Sequence, residues 1–366
     1  MDKIKEGLKS KNRKGIIIIS IAIITMAINI LLSYFPKKIE LLYSNGLNKK
    51  MIQLISLFTG LFPFSIGELL VLFLFLLLVV LFLWAMISIF RKKLLRSLII
   101  IGAYLSFLYI GFIGLWGLNY HRVPLEEVIG ITVDQYSTQD LIDLSQYLIQ
   151  EANNLRSSMI EDEHGVTQIP GGYRSIFERA QKGYDQLSIQ YQELGGNYGR
   201  PKPIFLSKAM LYTGITGIYM PYTGEANVNI LAEDYTLPAT TMHEMAHQRG
   251  YAREEEANYI AYLTCLTHED LDFQYSGTML ALVYSMNALK KYDHVAYQDL
   301  RASYSEGVRR DLQYSYDLWH SYEGKVEEVA SRMNDQYLKS NGQKSGVKSY
   351  GKMVDLLLAD YRRDKN

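Results

Sequence analysis

Two histidines and a glutamate stand at a spacing that can hold and use a metal ion. Residues 241–262 read TMHEMAHQRGYAREEEANYIAY and contain His243, Glu244 and His247. On a helix, positions four apart lie on one face, so both imidazoles can reach a single ion at about 2.0–2.1 Å. Glu244 then projects beside the ion, where a general base for an attacking water must stand. The pattern predicts a zinc centre with Glu244 as its catalytic residue.

The flanking residues favour a helix that carries this motif. Pro238 suits the first turn of a helix, and Gly250 suits the left-handed residue that ends one. The motif arises by chance in roughly one protein in a hundred of this composition, so the residues around it must support the interpretation. The alternative is a surface helix with two solvated histidines.

A third ligand is available just after this helix. Glu254, Glu255 and Glu256 open a second helical segment. A catalytic zinc takes three protein ligands and keeps one open position, which His, His and Glu would satisfy. A glutamate triplet is also common at a solvated helix N-terminus, where the helix dipole stabilises it. The residues alone leave the choice among the three open.

The segment resembles the gluzincin type of zinc peptidase, in which HExxH is followed by Glu-x-x-x-Asp/Asn. The resemblance implies that Glu254 is the third ligand and that Asn258 orients a histidine from behind. The EAN-x-x-A string is similar to the helix of the immunity-repressor-cleaving peptidases. Arg253 stands where metzincins have their third histidine, so a strict metzincin site is absent. The spacer from His247 to Glu254 is shorter than in typical gluzincins, so Glu255 stays the second choice.

The first third of the chain has the composition of a membrane anchor. Three long uncharged runs predict transmembrane helices at about 15–35, 67–90 and 97–119. A cleaved signal peptide is the alternative for the first run, but its apolar stretch is too long and no cleavage site follows.

The charge distribution predicts how these spans are oriented. The chain total is zero, which excludes a strongly basic nucleic-acid binder. Residues 1–118 nevertheless carry a net charge of +10, and residues 119–366 carry −10. Ten basic residues lie in the N-terminal tail and in the loop 91–96, against four in the loop after the first span. The positive-inside rule then places residues 121–366 outside the cytoplasm of a multi-pass membrane protein.

Residues 51–64, MIQLISLFTGLFPF, are apolar but too short to span a bilayer. Gly60 and Pro63 interrupt them, which is typical of an interfacial or re-entrant piece. If this piece did span the membrane, the large domain would change sides.

Residues 121–366 are predicted to form a mostly helical α+β domain of the zincin type with a small sheet. The apolar spacing predicts helices at 134–159, with Ser137 as N-cap, and at 173–194, 270–292, 311–338 and 348–362. Residues 203–207 and 214–231 are predicted to form short strands, and Pro221 demotes its segment to an edge or a bend.

The whole chain resembles the bacterial membrane family named domain of unknown function 3810. The resemblance rests on the three spans together with WGLNYHRVPL (116–125), GIYMPYTGEANVN (217–229) and the HEMAHQRG and EEEAN strings. The family implies a zincin-like site and does not imply an established substrate.

These features predict a membrane-anchored zinc metallopeptidase that cleaves peptide or amide bonds of the cell envelope. The alternative is a membrane-tethered binding or scaffold protein with a structural or vestigial zinc site; intramembrane proteolysis is disfavoured, because HExxH lies in polar sequence far from any span. Residues 225–230 are either a strand that pairs with substrate or an ordinary sheet strand. The candidate oxyanion donors are Tyr219, Tyr222, Arg249 and His268.

Overall fold

The computed structural model describes residues 2–341 and 352–365, with side chains for 12–341 and 352–363. The fold is α+β and mostly helical, with three apolar N-terminal helices and one three-stranded sheet in the described residues, as predicted. The helices after the membrane region have the following bounds: α6 Leu125–Ile129, α7 Thr138–Arg156, α8 Gly172–Gln190, α9 Ser207–Leu211, α10 Leu237–Gln248, α11 Glu254–Thr267, α12 Leu271–Tyr292, α13 His294–Arg301, α14 Glu306–His320, α15 Lys325–Ser340 and α16 Met353–Lys365.

Three helices are long and apolar enough to cross a bilayer, which makes this a membrane protein. They are α1 (Asp2–Leu32), apolar from residue 12 onward, α4 (Ile66–Phe90) and α5 (Leu94–Leu115). The first ends three residues before the predicted bound, because Pro36 disfavours helical backbone in the residue before it. The third ends at Leu115, four residues early, and the chain continues as a 3₁₀ turn through Gly117–His121.

The segment between the first two spans is folded against the large domain. It contains α2 (Pro36–Lys38), a π-helical stretch (Ile39–Asn48) and α3 (Lys49–Thr59). The Thr59 hydroxyl donates to the Thr223 carbonyl over 2.9 Å. The segment therefore has a fixed place on the domain, and its one regular α-helix beyond a single turn is only 11 residues long.

A buried ion pair ties the same segment to the exit of the third span. The Arg122 guanidinium is fully buried and lies 2.6 Å from a Glu40 carboxylate oxygen. Removal of either partner would leave a buried charge uncompensated, which is strongly destabilising. The pair therefore holds the inter-span segment and the start of the domain together.

The sheet is small and its central strand is β3. The strands are β1 (Lys202–Pro203), β2 (Gly217–Met220) and β3 (Glu225–Val228), in the order β1-β3-β2. β3 pairs in parallel with β1 and antiparallel with β2. The alternative in which residues 225–230 pair with substrate is wrong, because both edges of β3 are already occupied. The free edge near the candidate site belongs to β2, and the turn that begins at Pro221 ends that strand.

The helical core follows the predicted pattern with two departures. Ser137 caps α7 in a capping box with Asp140, as expected for the helix at 134–159. The helix predicted at 311–338 is instead two helices, α14 and α15, which meet at Gly324. Gly324 has extended backbone, which interrupts the apolar spacing that continues on both sides. The short helix α13 lies between predicted elements and has no buried residue to reveal it.

Candidate metal centre

The two motif histidines lie on α10, and the opposite face of this helix is in the core. Pro238 occupies the first turn, as expected for a residue without an N–H. Met242 and Met245 are fully buried, which fixes the rotation of the helix. His243 and His247 then project together into a cavity, with ring centroids 4.6 Å apart.

A tight turn brings the next helix back beside these histidines. Gly250 has φ +83°, a conformation that disfavours side chains, and it ends α10. The chain returns through Tyr251, whose N–H donates to the Ala246 carbonyl. α11 begins only three residues later, at Glu254, so its first turn lies against the last turn of α10.

The carboxylate of Glu254 meets both imidazoles at one point. Its Oε2 atom lies 3.2 Å from His243 Nε2 and 3.7 Å from His247 Nε2. The three ligand atoms all lie within 4.8 Å of one another. Ligands about 2.05 Å from a tetrahedral ion stand roughly 3.3 Å apart, so the set has the right size for zinc. The three side chains can hold such an ion and leave a fourth position open.

Hydrogen bonds behind each imidazole turn the Nε2 atoms toward this point. His247 Nδ1 donates to the Tyr251 carbonyl over 2.6 Å, since a carbonyl oxygen can only accept. His243 Nδ1 lies 2.9 Å from Asn258 Oδ1, and the Asn258 amide donates to the Tyr284 hydroxyl. With Nδ1 protonated, a neutral imidazole presents its Nε2 lone pair forward. This arrangement is the usual support for a metal-binding histidine.

The other two glutamates of the triplet have different surroundings. Glu256 accepts from the Leu125 backbone N–H over 3.0 Å and pairs with Arg253. Glu255 lies outside the group of candidate ligands. Burial raises the pKa of its carboxyl. Glu254 is thus the member of the triplet that the described structure brings to the histidines, and Asn258 stands one turn further along the same face of α11.

The electrostatics of the cluster favour a proton held between His247 and Glu254. Burial alone would lower the pKa of His247, but the Glu254 carboxylate raises it to about 9. Burial opposes ionisation of Glu254, yet its histidine partners hold the pKa of this carboxyl well below its usual range. Both shifts favour a protonated His247 beside an ionised Glu254, and a cation that binds here must displace that proton.

Glu244 is buried between the histidines and strand β2. Burial, partly offset by the two histidines, raises the pKa of Glu244 to about 7. Its Oε2 atom is buried without a hydrogen-bond partner in the described part of the chain. A Cβ placed on Gly217 of β2 would lie 2.5 Å from Glu244 Oε1. The carboxylate is thus held against the edge strand, with a pKa suited to taking and returning a proton near neutrality.

The cluster lines a cavity of about 760 Å³. One wall of the cavity is lined by Thr236, which precedes α10, and by Thr240 and His243 on one face of that helix. Strand β2 lines another wall. Such a volume is in the range of a site that holds a ligand or a short stretch of peptide.

Two tyrosines that the sequence analysis did not identify also face this cavity. The Tyr120 hydroxyl and the Trp116 indole N–H each lie 3.2 Å from the Tyr337 hydroxyl and donate to it. Since Tyr337 then accepts two hydrogen bonds, its own O–H remains free to donate. Burial raises the pKa of Tyr337, which keeps this donor protonated. No local motif marks Tyr337, which is far along the chain from HExxH and belongs to another helix.

The residues expected as oxyanion donors are occupied elsewhere. Arg249 lies between the rings of Tyr184 and Tyr198 and donates to the Leu194 carbonyl. His268 contacts the Arg179 carbonyl through Nε2.

The two tyrosines proposed for the same role also point away from the cluster. The Tyr222 hydroxyl donates to the Leu108 carbonyl over 2.5 Å. Tyr219 lines the cavity with its ring, but its buried hydroxyl lies beside Tyr198 and Tyr43. Among the described side chains, Tyr337 and Tyr120 are better placed than any of the four expected donors.

The chain can be placed among known proteins at the level of a family. No curated protein and no solved structure matches it. The family model described as "Protein of unknown function (DUF3810)" matches residues 43–358, which include most of the inter-span segment, α4, α5 and the cluster of His243, His247 and Glu254. Because this match covers well over half of the sequence, the chain belongs to the DUF3810 family.

Proposed function

We propose that this protein is a membrane-anchored zinc metallopeptidase that hydrolyses peptide or amide bonds. The observation that carries the proposal is the meeting of His243, His247 and Glu254 at one point, with the Glu244 carboxylate beside it in a cavity. A structural zinc site would be closed by a fourth protein ligand. In the described residues the cluster has three, which favours a catalytic site over a scaffold.

The residues divide the chemistry between them. Zinc, when bound by the two histidines and Glu254, supplies a Lewis acid that polarises a carbonyl and lowers the pKa of a water. Glu244 takes the proton of the attacking water, because its carboxylate is buried beside the point where the three ligand side chains meet. The same carboxyl then returns the proton to the leaving amine. Tyr337 donates its free O–H to the developing oxyanion.

The free edge of β2 is the proposed binding strand for an extended substrate. β2 pairs on one side with β3, and residues 217–220 line the cavity. A peptide that adds to this edge places its backbone beside Gly217 and hence beside Glu244. Recognition through backbone hydrogen bonds would require an extended peptide backbone and would depend less on the peptide's sequence.

The domain is proposed to lie outside the cytoplasm, where its substrate would be a peptide or protein of the cell envelope. Contacts between the first inter-span segment and the domain, such as Glu40 with Arg122, require both on one side of the bilayer. With three spans, the inter-span segment and the domain lie on the same side of the bilayer. A fourth crossing by α3 would place Glu40 and Arg122 on opposite sides. The excess of basic residues in the N-terminal tail and the loop 91–96 then assigns that side to the exterior.

The central experiment compares wild type, Glu244→Gln and His243→Ala in the full-length protein. Zinc content is measured alongside cleavage of a degenerate quenched-fluorescence peptide library. We expect Glu244→Gln to keep one zinc per chain and to lose hydrolysis, and His243→Ala to lose both. Equal turnover by wild type and Glu244→Gln would refute the assignment, and absence of zinc from the wild type would favour the scaffold alternative.

A separate experiment tests the orientation. In intact cells, a membrane-impermeant thiol reagent should label His164→Cys, which lies in an exposed loop of the domain, but not Arg91→Cys. The native Cys265 is fully buried and gives little background. The reverse labelling pattern would place the domain in the cytoplasm.

A further inference from the structure

We infer that the substrate is a peptide attached to the same bilayer as the protein, cleaved close to its membrane anchor; this inference rests on the proposed peptidase function. Its basis is the position of the cavity at the ends of the membrane helices. Phe112, in the last turn of α5, lines the cavity together with His243 and Glu244. The third span therefore contributes directly to the wall of the site.

The distance from the span to the metal-ligand cluster is short. Trp116 is the first residue after α5, and its ring centroid is 5.6 Å from that of His247. The same indole packs on Tyr219 of β2, with ring centroids 4.8 Å apart. The residue that ends the span thus contacts both a proposed ligand and the proposed binding strand.

The far end of the binding strand is attached to the membrane helices. A Cβ on Gly67, the second residue of α4, would lie 2.8 Å from Met220 Cγ, so strand and helix are in close contact. From Met220 back to Gly217 is three residues, or roughly 10 Å of extended chain. Since Gly217 contacts Glu244 and Met220 contacts Gly67, this short strand alone connects the base to the start of the second span.

Two further attachments keep this face of the domain against the spans. The Glu225 carboxylate accepts from the Ile66 and Gly67 N–H groups, which begin α4. The Glu68 carboxylate accepts from the N–H groups of Phe205 and Leu206. These bonds pair backbone N–H groups on each side of the contact with a carboxylate from the other side, so the domain is held at a fixed height above the spans.

The surface around this face is apolar. The Phe205 side chain is 91% exposed although it stands beside the first turn of α4. The inter-span segment adds further exposed apolar side chains at Leu54, Phe58, Leu61 and Phe64. An apolar rim of this kind at a helix end suits the interfacial zone of a bilayer. A peptide whose anchor lies in that zone would enter the cavity without leaving the membrane surface.

The first test measures the height of the site without using its activity. A fluorophore is attached to Ile218→Cys on β2, or to His164→Cys as the control, in full-length protein in liposomes whose lipids carry headgroup nitroxides. The loop of His164 is joined to α14 by Arg310 and, in the described structure, makes no hydrogen bond to a span. We expect strong quenching at position 218 and little at 164. Equal, weak quenching at both positions would overturn the inference.

The second test uses peptide probes that differ only in their attachment. A degenerate peptide library is joined either to an acyl chain or to an apolar helical anchor, so that the two kinds of anchor are distinguished. A spacer of about four residues reaches roughly 14 Å. A spacer of about forty residues lowers the effective concentration of the peptide at the site by about thirtyfold. We expect cleavage to be at least tenfold faster with the short spacer for one or both anchors.

The outcomes separate the two levels of the proposal. Cleavage of long-spacer and unanchored probes, with the short-spacer probes spared, would overturn the membrane-attached substrate and leave the peptidase standing. If zinc-loaded protein cleaves none of the probes, the proposed peptidase function fails, and the substrate inference fails with it.

Discussion

The backbone of Gly217 lies against the carboxylate of Glu244. A Cβ at position 217 would come within 2.5 Å of Oε1 and 2.8 Å of the carboxyl carbon of Glu244. The backbone of Gly217 lies outside the left-handed region, so only the contact demands glycine there. The edge strand therefore fixes where the proposed base can stand.

Gly217→Ala should therefore displace the base without removing the metal ligands. We expect hydrolysis to fall by about 100-fold, because a misplacement of about 1 Å in a catalytic group costs that much. Zinc content and melting temperature should stay close to wild type. Cleavage at the wild-type rate would show that the position of Glu244 does not matter, and loss of zinc would show a wider disturbance than this contact predicts.

A second prediction concerns the residue behind His243. Asn258→Ala removes the acceptor for His243 Nδ1, which otherwise fixes the ring and its tautomer. Loss of such a partner weakens metal affinity by about 10- to 100-fold. Competition with a chromogenic chelator measures the zinc dissociation constant directly.

The matched control for this variant is Tyr284→Phe. That change removes only the hydroxyl that receives the Asn258 amide N–H, and leaves Asn258 Oδ1 on His243. We expect a smaller loss of affinity than with Asn258→Ala. An equal loss in both variants would mean that Tyr284, rather than the contact with His243, determines the effect.

Local sequence rules predicted most of what lies within one or two turns of the motif. Pro238, the i and i+4 histidines, Gly250 and the start of α11 at Glu254 are all local features. These features bring His243, His247 and Glu254 together, because a helix, a tight turn and a second helix permit few other arrangements of the three side chains. The three apolar helices were predicted just as directly, from the length of the uncharged runs in the sequence.

Features that depend on distant pairing were not predictable in this way. Short strands were predicted in this region, but the order in which they pair, with residues 225–228 in the centre, is not visible in the sequence. Tyr337 lines the cavity from α15, which is separated from α14 at Gly324. A continuous apolar spacing predicted one helix there, which concealed both the break and the tyrosine.

A third prediction follows from the proton held between His247 and Glu254. The pKa of His247 is raised to about 9, above its ordinary value of 6.5, so the ligand-free imidazole is protonated below that pH. Zinc must displace this proton, and we expect release of about one proton from His247 at pH 8. The release should fall as the pH rises through about 9. Calorimetric titration in buffers of different ionisation enthalpy measures it.

Glu254→Gln is the control for that measurement. Without the carboxylate, the largest cause that raises the pKa of His247 is gone, and this pKa should fall. The proton release per zinc bound should then be smaller at pH 8. Unchanged release in the variant would show that the proton belongs to another group.

A fourth prediction concerns the proposed oxyanion donor. Tyr337→Phe removes the free O–H while leaving the ring packed against Phe112 and Tyr120. Loss of one such donor lowers kcat by about 10²- to 10³-fold, and KM should change little. Tyr120→Phe, which removes a hydrogen bond to Tyr337, should have a smaller effect. The proposed role is wrong if Tyr337→Phe raises KM and leaves kcat unchanged.

The last prediction concerns the contact between α3 and the domain. This contact helps to hold the candidate site close to the membrane. A Cβ on Gly199 would lie 2.0 Å from the backbone carbonyl oxygen of Ser56, so Gly199→Ala must separate the two segments. Overpacking of this kind costs about 1–3 kcal/mol, and hydrogen exchange in Lys49–Thr59 should accelerate. Gly324→Ala, where a Cβ meets open space, should change neither melting temperature nor exchange in α3. If Gly199→Ala left exchange in α3 unchanged, the close contact with Ser56 would not be what holds this helix to the domain.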